Sequence, residues 1–248
     1  MEAIEHPPLF AIPGIPDHLT YTWIVMVILI GVSVAASRSL QLVPRGLQNF
    51  MEIVLEQFLT LLDDVVGPEG RRYLPLIATL GLFILTSNLL GLVPGLMAPT
   101  SNINTTAACA LIVFFTYHWI GVRKQGLGPY LRHLCGPVWW LAPLMLVVEI
   151  FSHLARPLSL ALRLFGNMTG GHILLAVIVS LTLGLASWAA AGSLPGVLLG
   201  LPGSALLVLF TAGFLLPLKI LVAFLQAFIF CMLSMLYIAG AIEEAEHP

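Results

Sequence analysis

From Val138 to Trp188 the chain is one apolar stretch of about 50 residues, and a second, Ala205 to Ile242, follows it. Coiled into a helix, the first would measure roughly 75 Å, against about 30 Å for the hydrocarbon core of a bilayer. An upright span cannot absorb that length. Either the stretch breaks into two pieces or it inclines beyond the usual limit of about 40°. A hairpin of two long, strongly tilted helices satisfies both stretches, with Pro143, Pro157 and Pro217 as bending points. Only 9% of the residues are charged, where soluble domains average about 25%.

The remaining segments complete an all-α polytopic membrane protein with about five to six membrane helices. The whole chain, 1–248, reads as a single membrane domain, with residues 1–20 as an external N-terminal segment. Spans are expected at 21–36, 74–93 and 107–122, and the long hairpin at 138–188 and 205–242. The connector between the two hairpin stretches, AAAGSLPGVLLGLPGS, is rich in Gly, Pro and Ser. Residues 44–66 differ in kind. Phe50, Val54, Phe58, Leu61 and Leu62 recur at helical spacing while Glu52, Glu56, Asp63 and Asp64 interrupt them. That pattern suits an amphipathic helix on the membrane surface or against a partner. The N-terminus lacks a basic region followed by a short apolar core, so no cleavable signal is expected. Cys109, Cys135 and Cys231 lie in or beside apolar segments without metal-ligand spacing and read as packing residues.

Arginine and lysine in short loops set the orientation. Arg38, Arg45, Arg71 and Arg72 cluster on one side with Arg123, Lys124 and Arg132, while the loops near Thr100 and Pro195 are uncharged. The basic side is expected to be cytoplasmic, which places the N-terminus outside and the C-terminus inside.

Arg163 then stands out. It lies mid-way along the first long stretch, and of the 12 acidic residues only Glu149 falls in an apolar segment. Glu149 is about 14 residues away, or about 21 Å along a helix. An arginine at bilayer depth is costly and marks a polar cavity or partner, so its counter-charge is expected on another chain. Glu149, His153, Arg156, Arg163 and Asn167 fall within about 40° of one line on that helix. Two plainer readings stand beside this stripe. Glu149 can pair with His153 one turn away, and Arg156, next to Pro157, can snorkel towards a headgroup.

The second long stretch carries Lys219 and Gln226 on one face. In an antiparallel hairpin turning near Pro195, Arg163 and Gln226 meet at similar depth, about 32 and 31 residues from the turn. His172 and Lys219 lie nearer the turn and open outward, while Glu149 and His153 open inward. Two offset polar half-paths separated by a fixed guanidinium would block a leak yet attract a carboxylate carried by something that moves.

SHLARPLSLALRLFGNMTGGHILL and LKILVAFLQAFIFCMLSMLYIAGAIEE, with LVP after Asn88 and PTSNINTT, closely resemble the subunit a family of rotary F-type ATP synthases. The resemblance covers essentially the whole chain. It implies a stator beside a ring of c subunits, with two offset half-channels for protons, in a bacterial-type plasma (inner) membrane. It matches the family's essential arginine to Arg163, facing the ring carboxylate, and its inner-side glutamate to Glu149. Its asparagine corresponds to Asn167 and its last-helix glutamine to Gln226. His172 and Lys219 occupy positions where one bacterial pattern has an acid and a histidine, so here both are of basic type. The b subunits of the peripheral stalk are implied partners alongside lipid, and no cofactor is.

The competing classes have less behind them. An intramembrane enzyme using His153, His172 and Glu149 would need them on one level, and HExxH is absent. A secondary transporter predicts internal repeats with paired broken helices, and no convincing duplication is visible. No GxxxxGK[ST] phosphate loop occurs, so the chain is expected to be non-catalytic, and it has no basic patch for nucleic acid.

Overall fold

The computed structural model describes residues 14–38, 40–93, 95–134 and 142–246, with backbone alone at 131–134, 142 and 244–246. The expected external segment up to residue 13, Cys135, the start of the long stretch at 138–141, the Arg132 and His133 side chains and the end of the tail lie outside that description. The described residues form helices and no strand: α1 (Asp17–Ser37), α2 (Leu47–Val65), a 3₁₀ turn (Pro68–Tyr73), α3 (Leu74–Leu90), α4 (Ile103–Gln125), α5 (Leu127–Leu134), α6 (Ala142–Ala190), α7 (Leu194–Phe210) and α8 (Leu216–Glu246). Among them, five segments are long and apolar enough to cross a membrane: Asp17–Ser37, Pro68–Leu90, Ile103–Gln125, Pro143–Ala190 and Leu194–Glu243.

Helix α6 runs unbroken for 49 residues and keeps Pro157 inside it. Its length, roughly 74 Å, exceeds the hydrocarbon core more than twofold, so a steep tilt is the geometry left to it. After a turn at 191–193, the chain returns as a second long helical run in which α7 and α8 are joined by a widened π turn, Thr211–Leu215. That turn, just before Pro217, locally changes the helical pitch.

The Gly/Pro/Ser-rich connector is shorter than its composition suggests. Helix begins at Leu194, capped by Ser193, whose hydroxyl accepts from the Gly196 N–H, with a proline in the first turn. Proline is pre-shaped for that position and leaves no orphan donor there. Leucines fill the rest, and Pro202 is carried inside α7, as membrane helices tolerate. Small residues here serve contact. A Cβ on Gly200 would sit 2.7 Å from the Leu185 carbonyl oxygen and 3.1 Å from the Ala189 nitrogen, so α7 lies on the α6 backbone itself.

Away from the turn the two long helices are held by other elements. One buried cluster joins Leu80 and Ile84 of α3, Cys109, Ala110 and Val113 of α4, Leu160, Ala161 and Leu164 of α6, and Ala227 and Phe230 of α8. A second gathers Leu62 of the amphipathic α2, Ile77, Tyr117, Ile120, Cys231, Met235 and Ile238. On the basic side, Arg71 makes two 2.8 Å bonds to Asp63, and Lys124 pairs with Glu69, tying α2, the 3₁₀ turn and α4 together. The Arg71 guanidinium holds the Asp63 carboxyl below its ordinary range.

Leucine at position 200 should force α6 and α7 apart and cost about 1–3 kcal/mol. Gly31→Ala on α1, where a Cβ meets nothing within 4 Å, should be nearly silent. Thermal unfolding of the two variants in detergent reads the difference.

Candidate functional site

Helix α6 presents its polar stripe to different surroundings along its length. His153 and Arg163 lie about 80° apart around the axis, enough for one to be covered and the other not. His153 is 8% exposed, facing α4, while Arg163 is exposed, flanked by exposed Leu158 and Leu162. The hydrogen bond that the structure gives Arg163 is a long one, donated by Nη2 to the Ser159 hydroxyl at 3.5 Å. A shallow open hollow beside it is lined by Ala155, Leu158, Ser159 and Leu162. A serine hydroxyl neutralises nothing, and among the described residues no carboxylate pairs with this exposed guanidinium.

One turn further on, the Asn167 amide donates to the Gln226 carbonyl at 3.0 Å, joining α6 to α8. The Gln226 side chain is 3% exposed, and this bond gives its carbonyl oxygen the partner that a buried polar atom needs. Gln226 thus meets α6 at Asn167, one turn beyond the arginine. Around it, α8 and α6 are locked to α3 and to the loop that precedes α4. Asn88 donates to the Ala223 carbonyl at 3.4 Å and accepts from the Thr100 hydroxyl at 2.7 Å, while Thr169 donates to the Ser101 carbonyl at 3.5 Å. The hint for this network was a lone asparagine inside an apolar run.

Glu149 and His153 do pair within α6, Nε2 to Oε1 at 3.2 Å. The other ring nitrogen of His153 lies 3.2 Å from the Tyr117 hydroxyl of α4. Arg156 is engaged by aromatic rings of its own chain. Its guanidinium lies 5.8 Å from the Tyr117 ring centre and 5.5 Å from that of Tyr237, between α4 and α8, where an aromatic face offers it cation–π attraction. Neither tyrosine was marked by the polar pattern.

Towards the turn, the Lys219 stem of α8 packs against Gly171, the neighbour of His172; a Cβ there would meet its Cε at 3.3 Å. Glycine at 171 therefore makes the room in which Lys219 lies beside α6. His172 is half-buried, and its Nε2 has no hydrogen-bond partner among the described residues. Asn167, Gln226, His172 and Lys219 thus gather between α6 and α8, Glu149 and His153 sit at the opposite end against α4, and Arg163 stands between the groups on the open side. Among the described residues, no group of three or more His, Cys, Asp or Glu is placed to hold a metal ion.

The family described as ATP synthase A chain matches residues 19–239. The chain is 50% identical over 245 residues to "ATP synthase subunit a 1" of Syntrophotalea carbinolica, covering 99% of this chain and 91% of that protein. It is 46% identical over 229 residues to "ATP synthase subunit a" of Geobacter sulfurreducens, covering 92% and 89%. A Pelobacter propionicus "ATP synthase subunit a 1" is 45% identical over the same shares.

If the Asn167–Gln226 bond couples α6 to α8, alanine at both positions should cost less than the two single changes added. The expected coupling in a double-mutant cycle is about 0.6 kcal/mol, measured by unfolding in bilayer-like detergent mixtures.

Proposed function

The chain belongs to the ATP synthase A chain family, and from that premise we propose that it is the stationary, proton-conducting membrane subunit of a rotary ATP synthase. It works beside a ring of c subunits and is braced by the b subunits of the peripheral stalk. In this reading the chain is non-catalytic: it delivers and removes protons, and nucleotide chemistry happens elsewhere in the complex. The observation that carries the reading is Arg163, a permanent cation on an open apolar flank with a single serine contact. A charge so placed is tolerable in a membrane only against a polar partner. A ring carboxylate passing that face supplies one.

The mechanism follows from the placement of charge. A carboxylate arriving opposite Arg163 is stabilised as an anion, because a guanidinium with pKa above 12 stays charged throughout. It therefore gives up its proton before it passes and takes another only after leaving. The outer half-path runs between α6 and α8 by His172 and Lys219, and the inner one ends at Glu149. Asn167 and Gln226, hydrogen-bonded to each other, set the spacing of the two helices beside the arginine. Because the half-paths are offset, a proton crosses only by riding the ring, which couples flux to rotation. In this reading the N-terminus lies outside and the C-terminus in the cytoplasm, which the basic loops support.

Arg163→Ala in the assembled complex should abolish both ATP-driven proton pumping and ATP synthesis in membrane vesicles while the subunit still inserts and co-purifies with its ring. Near-normal coupled activity would remove the arginine from the centre of the mechanism. Lys219→Leu should slow proton flux without uncoupling it, and unchanged flux would return Lys219 to a packing role.

A further inference from the structure

The inner end of the stripe contains more than the reading above uses. Glu149 of α6 is a half-exposed carboxylate, and its oxygen lies 3.2 Å from His153 Nε2. An ionised carboxylate only accepts, so the ring proton belongs on Nε2. The other nitrogen, Nδ1, is then an acceptor, and the group 3.2 Å from it is the Tyr117 hydroxyl, which can donate. Three side chains from two helices are thereby connected in one direction: Tyr117 O–H to His153 Nδ1, and His153 Nε2–H to Glu149.

The surroundings hold this arrangement still. The Tyr117 and His153 rings are stacked, 5.9 Å apart and 20° from parallel. His118 of α4 closes against His153 edge-on, with ring centres 5.0 Å apart. Tyr117 is 2% exposed and lies under the Arg156 guanidinium. A buried tyrosine hydroxyl needs a partner, and an imidazole held at one nitrogen has its tautomer chosen for the other.

We propose that Tyr117 is a positioning residue of the inner half-path, fixing the His153 tautomer that orients the Glu149 carboxylate. Tyr117 acts through His153 and does not itself touch the transported proton. The inference rests on the assignment of Glu149 to the inner path. It adds a residue from α4, a helix otherwise occupied with core packing, to the machinery that aims this carboxylate.

Tyr117→Phe removes the hydroxyl and keeps the ring that stacks on His153 and carries Arg156. In assembled complexes in vesicles it should lower ATP-driven proton pumping about five-fold, the order expected for losing one hydrogen bond. In a Glu149→Gln background the same change should produce no further loss, because there is no longer a carboxylate to aim. ¹⁵N spectra of the histidine-labelled complex, with His153 assigned by difference against His153→Gln, give a reading independent of turnover. The Nδ1 resonance should move when the Tyr117 hydroxyl is removed.

An unmoved Nδ1 resonance, undiminished pumping, or an equal five-fold loss in the Glu149→Gln background would each overturn the proposal. Any of these would leave the effect of Arg163→Ala as it is. Failure here is thus distinguishable from failure of the stator reading, which would appear as coupled activity without Arg163.

Discussion

A guanidinium that cannot lose its charge, placed on an apolar flank, is the constraint around which the molecule is arranged. Arg163 sits on α6 between exposed leucines with one weak serine contact. In hydrocarbon that state is unfavourable by several kcal/mol, and among the described residues no acidic side chain pairs with it. The buried faces of α6 and α8 turn instead towards α3 and α4. This leaves the arginine flank open. The interior stabilises the helices, and in the proposed reading the open face is completed by another molecule.

The packing explains how so exposed a residue is nonetheless held in place. Near the hairpin turn, glycines let α7 lie on the α6 backbone. Further along, α4 fills the space between α6 and α8, and its residues reach both buried clusters. Polar links cross at several levels: Asn167 to Gln226 one turn from the arginine, the loop before α4 to Asn88 and Thr169, and His153 to Tyr117 at the far end. Each holds two elements together near a residue of the proposed path.

Much of this was legible in hydropathy alone. Two apolar stretches far longer than a bilayer is thick demand inclined helices, and α6 is continuous over 49 residues. Arg163 announced itself by the lack of any acid near it. Composition misled at the connector, where Gly, Pro and Ser suggested a loop. Proline in a first helical turn and glycine at a tight helix crossing are both compatible with helix, and α7 uses them so. Arg156 was ambiguous because its partners are aromatic rings on α4 and α8, remote in sequence and polar at one atom only. Tyr117 was invisible for the same reason: a tyrosine in an apolar helix looks like packing until the histidine opposite it is seen.

The central claim is that the open flank of Arg163 is covered by the carboxylate-bearing helix of another chain. Its most direct test is a cross-link in the assembled complex. Cysteine replaces Ser159, which shares the Arg163 face, and a second cysteine is placed one turn from the ring carboxylate. Mild oxidation should join the two chains rapidly, whereas a cysteine at Val27, on the exposed side of α1, should not react with the ring. Equal cross-linking from both positions, or none from position 159, would contradict the account.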